Sequence, residues 1–180
     1  MTGDALRWLE GAVILALVAL LFVAMARTWR TRARRQADTV PPVPVPSGLG
    51  PAAGSWDGFT VATTRADQPL ERITAGGLGF RGRGGVTVHD TGVVLHHAGT
   101  DDRWIAADAV RGADRATTAI DRVVEPGGLV RLRWTATGAA GATDLDTYFR
   151  FPQGGAAALA ALQGLTTTHE PPHTAGEGTN

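Results

Sequence analysis

GVTVHDTGVVLHH, residues 85–97, decides the fold class. Val86 and Val88 alternate with Thr87 and His89, Asp90-Thr91-Gly92 supplies turn-favouring residues, and Val93 and Leu95 resume the alternation. A period of two places one apolar set on one face of a sheet, so the stretch predicts a β-hairpin.

The same period recurs on either side. In GGLVRLRW, Val130, Leu132 and Trp134 share one face and Arg131 and Arg133 the other; in DLDTYFRF, Leu145, Thr147, Phe149 and Phe151 oppose Asp144, Asp146 and Arg150. The two strands are expected to pair across the Gly- and Ala-rich loop between them. Their charges then become exposed cross-strand partners that need no functional explanation. Upstream, GFTVATT predicts an opening strand, and RWIAADAVRGADR a strand, a tight turn at Ala107-Asp108 and a further strand around Val110. Only after Pro152 does a helical period appear, in QGGAAALAALQGL, where Ala158, Leu159 and Leu162 form a narrow stripe. The expected domain, residues 57–165, is mainly β and closed by one C-terminal helix.

The flanks differ in composition. Residues 30–56 are expected to be a linker, basic at first and then extended, because QADTVPPVPVPSGLGPAAGSW combines repeated Pro with Gly and Ala that offer no core. TTTHEPPHTAGEGTN, residues 166–180, has too few large apolar groups to offset ordering entropy and is expected to be disordered. At the other end, residues 1–7 form a short N-terminus before an uncharged run, GAVILALVALLFVAMA, that Trp8 and Trp29 extend to a transmembrane helix over 8–29. Arg27, Arg30, Arg32, Arg34 and Arg35 follow this run instead of preceding it, whereas a secretory signal carries its positive charge first. The positive-inside rule then puts the N-terminus outside and the C-terminal body in the cytoplasm, at the cell membrane. Gly11, Ala12, Ala16 and Ala19 would let two such helices approach closely, as self-association requires, although small residues at such spacing are common by chance.

A formal net charge of zero gives the 180-residue chain no global pull toward nucleic acid, and bilayer phosphate is the nearer anion for the basic run. Every positive side chain is Arg, which fits a GC-rich bacterial genome. Lacking Lys and Cys, the chain has no Walker A lysine, no Schiff base and no thiolate, and residues 57–165 contain no Ser nucleophile. Gly77-Leu78-Gly79-Phe80-Arg81-Gly82 satisfies G-x-G-x-x-G, but a strand follows it where a dinucleotide site needs a helix. Adjacent His96 and His97 point to opposite faces of a strand, and Glu170-Pro171-Pro172 keeps His169 and His173 off one helix face. No metal and no cofactor are expected.

The run VTVHDTGVVLHHAGTDDRWIAADAVRGADR resembles the strand–turn–strand rhythm of bacterial pleckstrin-homology-like (PH-like) modules. LERITAGGLGFRGRGGVTV, IDRVVEPGGLVRLRW and DTYFRF resemble segments of an actinobacterial family of single-span membrane proteins with a PH-like cytoplasmic domain, residues 122–128 being the most specific part. The resemblance implies a bent antiparallel sheet or barrel of six to seven strands capped by one C-terminal helix. Some members of that family are labelled transporter or export protein, although one helix offers no solute pathway. The function expected is a non-catalytic, membrane-tethered module that recruits a protein partner. Arg72, Arg81, Arg83, Arg122 and Glu125 are its candidate interaction residues, since charged side chains on irregular segments are free of packing duty. Two alternatives are a membrane-anchored aspartic protease acting through Asp90, and a sensor of anionic lipid or a small ligand acting through the arginines.

Overall fold

A computed structural model describes residues 2–66, 68, 70–79, 81–119, 122–123 and 128–169, and realises the period-two segments as strands. The order is α1 (Thr2–Thr39), β1 (Ala52–Arg65), β2 (Gly82–His89), β3 (Gly92–His97), β4 (Arg103–Ala106), a 3-10 turn (Ala107–Ala109), β5 (Val110–Ala116), β6 (Thr118–Ala119), β7 (Arg122–Val123), β8 (Leu129–Gly138), β9 (Gly141–Arg150) and α2 (Gly155–His169). The chain divides into two units, Met1–Gln36 and Ala37–Asn180.

In the first unit the side chains of Gly11–Thr28 are exposed, and their mean hydropathy is 2.2. The segment is long and apolar enough to cross a membrane, and a signal sequence passes the same test. It shows no polar face, and the hydroxyl of Thr28 is satisfied within the helix by the Ala24 carbonyl at 2.9 Å. The side chains of Trp8, Trp29, Arg30, Arg32, Arg34 and Arg35 lie outside the described ones.

In the second unit seven strands form one antiparallel sheet in the order β4-β3-β2-β1-β9-β8-β5, and β6 pairs with β7 as a separate short ribbon. The expected hairpins are present: β2 and β3 turn through Asp90 and Thr91, and β8 and β9 turn through Ala139 and Ala140. Val86, Val88, Val93, Leu95, Leu132, Leu145 and Phe149 are buried on the inner face, as their alternation requires. α2 lies against this core through Ala158, Leu162 and Leu165, and Leu162 is completely buried, which stabilises by roughly 1.5–3 kcal/mol. A hydroxyl chain crosses the core: Trp134 Nε1 donates to Thr147 Oγ1 at 2.9 Å, and Thr147 and Thr63 share a bond of 3.1 Å. These partners satisfy an indole N–H that burial would otherwise leave unpaired.

The folded body begins earlier than residue 57. α1 runs on to Thr39, Val40 is wholly buried in the core, and the Trp104 N–H donates to the Val43 carbonyl at 2.9 Å. The Ala140 N–H likewise donates to Asp38 at 3.3 Å. Prolines 41, 42 and 44 have no N–H to give, so this segment beside the edge strand β4 cannot offer a continuous row of donors. The first part of β1, Ala52 onward, pairs with β2 and brings Ser55 into the sheet, where its hydroxyl meets that of Thr87 at 2.8 Å. Toward the C-terminus α2 takes in residues 166–169, and the rest of the expected disordered tail lies outside the described residues.

Candidate functional site

β1 is long enough to pair with β2 along its first part and with β9 along its second. Where the two pairings overlap, Phe59 stands opposite Arg83 of β2 on one side and Arg150 of β9 on the other. Residues paired across antiparallel strands project to the same face about 5 Å apart, so an aromatic ring is flanked by two cations. Phe59 is 44% exposed despite its size. A β-bulge between Thr60 and Ala62 interrupts the ladder beside it, and an open cavity of about 720 Å³ lies there. Phe59, Val61, Arg81, Gly82, Arg150 and Pro152 line it. Thr60 stands in its wall, fully buried, with Oγ1 lacking a hydrogen-bond partner.

Of the candidate residues, Arg81 and Arg83 are exposed, and Arg81 lines the cavity. Arg72 is half-buried and donates to the Gly79 carbonyl at 3.2 Å, which ties it to the glycine-rich turn. Arg122 pairs through its backbone with Ala119; its side chain and the whole of Glu125 lie outside the described residues. Phe59 and Arg150 were not singled out by the sequence. The sequence puts Arg150 on the polar face near Arg131 and Arg133, whereas its register partner on β1 is Phe59.

The fold and this site can be set beside known proteins. The model of the family described as Bacterial PH domain-like matches residues 28–162, most of the chain. The chain belongs to that family. A search among curated proteins finds no match. The open seven-stranded antiparallel sheet and the single C-terminal helix agree with a PH-like fold.

Other charges of the bacterial PH-like domain are engaged with one another. Arg131 grips Asp114 through two parallel bonds, Nε to Oδ1 at 2.8 Å and Nη2 to Oδ2 at 2.7 Å, and reaches Asp146 at 3.4 Å. Arg133 adds a 3.8 Å contact to Asp114. The bond from Arg131 holds the Asp114 carboxyl below its ordinary range, and the same bond raises the guanidinium. Burial pushes Asp146 up, and its Oδ1 has no partner. The expected cross-strand pairing of Asp146 with the β8 arginines is present, but Asp146 is buried, and the stronger partner, Asp114, comes from β5. Among the described residues no carboxylate forms an ion pair with Arg81, Arg83 or Arg150.

His96 and His97 do point to opposite faces. His96 Nδ1 meets Asp102 at 2.9 Å and Nε2 meets Thr87 at 2.7 Å, while His97 is buried. The Ser55–Thr87–His96–Asp102 chain has the order of a hydroxyl–imidazole–carboxylate relay. It lies on the face of β2, a strand flanked on both sides, so nearby N–H groups serve the ladder and form no oxyanion hole. No group of three His, Cys, Asp or Glu side chains suited to a metal occurs among the described residues. Asp90 is exposed in its two-residue turn. Buried Arg103 donates to the Gly76 carbonyl at 2.8 Å, and its guanidinium carbon lies 5.7 Å from the Trp134 ring centroid; burial lowers its pKa to about 10.

Proposed function

We propose that the chain is a membrane-tethered, non-catalytic module whose PH-like domain recruits a protein partner at the inner face of the cell membrane. The observation that carries this reading is the contrast between two sets of charges. Asp114, Arg131 and Arg133 satisfy one another, whereas Arg81, Arg83 and Arg150 stand around an exposed Phe59 and form no ion pair with a described carboxylate. Cations and an aromatic ring held on a rigid sheet face are a recognition surface that internal stability does not require. The apolar segment Gly11–Thr28 supports the tether, and the arginines after it support the cytoplasmic orientation. A tether raises local concentration, so weak contacts suffice.

A photo-crosslinker introduced beside Arg83 in the full chain, in intact cells, tests the reading. The expected result is capture of a specific protein by the wild-type surface and its loss on Arg81→Glu with Arg83→Glu. Absence of any specific capture would sink recruitment. A C-terminal reporter active only outside the cytoplasm is expected to stay silent, and activity would reverse the orientation. The protease alternative is not favoured, because Asp90 occupies a hairpin turn whose residue types the turn itself explains.

A further inference from the structure

The geometry points to the Phe59 cavity as a receptor for an extended acidic protein segment, one that carries two carboxylates on either side of an apolar side chain. This rests on the reading of the chain as an interaction module and specifies the chemistry of its partner. Three features of the site select that occupant. Arg83 and Arg150 lie on strands either side of the one bearing Phe59, so the cations are about two strand spacings, roughly 10 Å, apart at the backbone, with the ring between them. Same-side residues of an extended chain repeat every 7 Å or so, so two carboxylates that flank an apolar residue on the same side stand about 14 Å apart, a separation that two long arginine side chains splayed from either side of the ring can span. Guanidinium groups also take carboxylates through paired parallel bonds.

The floor of the site is apolar. Phe59, Val61 and Pro152 face the cavity, and a Cβ added at Gly82 meets no atom within 4 Å, so the chain there is open to an approaching segment. A lipid headgroup offers one compact anion at a flat surface; here Arg81 and Arg150 line a recess that accepts a side chain, and Arg83 stands across Phe59 from Arg150. Charge complementarity and the ring between the charges therefore favour a peptide over a bilayer.

The test uses the full chain in nanodiscs of phosphatidylcholine. Fluorescence anisotropy follows a labelled extended peptide with a Glu-Thr-Leu-Thr-Glu centre, its Gln-Thr-Leu-Thr-Gln counterpart, and separately the chain's binding to vesicles with and without phosphatidylglycerol. The acidic peptide is expected to bind in a salt-sensitive manner and the neutral one not. Arg83→Glu with Arg150→Glu should weaken binding by ten-fold or more, on the order of one to two hydrogen-bonded ion pairs. Phe59→Ala and Gly82→Leu should each weaken it several-fold, the second by filling the recess while every charge remains. Thermal melts of each variant check that the fold is intact.

Equal binding of both peptides, or an acidic peptide retained by the doubly reversed variant, overturns the proposal. So does arginine-dependent binding to anionic vesicles with no peptide binding, which would assign the site to a lipid headgroup. If cellular capture persists in Phe59→Ala and the doubly reversed variant, recruitment stands and this site falls. If the peptide binds and no cellular partner is captured, the site stands and recruitment falls.

Discussion

The backbone N–H of Trp104 donates to the carbonyl of Val43 at 2.9 Å, and that bond ties the proline-rich segment to the exposed edge of β4. An open edge is a template for unwanted pairing, and a proline-rich strip covers it without offering a new ladder of donors. Three residues earlier, Val40 is wholly buried in the main core. Val40→Ala is therefore expected to cost about 2 kcal/mol in urea unfolding of the domain. A chain shortened to begin at Asp57 loses Val40 together with the first residues of β1, and should lose its cooperative melt, whereas one beginning at Ala37 should keep it.

The Trp134 indole makes a second prediction. Its N–H ends on Thr147 Oγ1, which in turn meets Thr63, all three in the buried interior. Thr147→Val keeps the volume and removes the acceptor, leaving a buried donor unpaired at a cost of about 1–3 kcal/mol. Thr63→Val leaves the indole its acceptor and should cost less. A reversed ranking in denaturant melts would show that the indole does not depend on Thr147.

Much of this architecture was legible, for a physical reason. β2 with β3 and β8 with β9 are hairpins of strict alternation, so local sequence specifies both strand and partner. The docking of the proline-rich segment beside β4 was not legible, because proline content announces an extended backbone and is silent about what lies beside it. Phe59 and Arg150 escaped for a related reason: they meet through the long-range pairing of β1 with β9, and each on its own reads as one more residue on a solvent face. Asp114 was hidden by β5, whose VRGADRA carries little alternation.

Asp114 and Asp146 share Arg131 yet respond oppositely to pH. Asp114 has a folded pKa below its unfolded value, so its contribution is complete above the ordinary carboxylate range, near pH 4, and is lost as pH falls through the folded value. Asp146 is raised by burial, so it favours the fold when protonated and weakens it once pH rises through its folded value. At pH 7, Asp114→Asn should lower the urea midpoint clearly, and Asp146→Asn should lower it less or raise it, even though Asp146 is the more buried. Burial alone ranks them the other way, so equal-pH melts of the two variants separate the explanations.

His97 gives the pH dependence nearer neutrality. It is buried on β3, its Nε2 has no partner, and burial first and the Arg103 cation second hold its pKa below 6.5. In the unfolded chain the imidazole takes up a proton around pH 6.5, while the folded domain resists until a lower pH. Between those two values the unfolded state binds more protons, so stability declines as pH falls and levels off below the folded value. His97→Gln, which cannot titrate, should flatten that decline by close to one proton's worth of slope in urea melts from about pH 7 to pH 5. The unchanged slope of such a variant would mean that the folded imidazole protonates as easily as the unfolded one. That outcome would remove the case for a dry environment between β3 and Arg103, and with it the reason that the Arg103 guanidinium turns to the Gly76 carbonyl and the Trp134 ring.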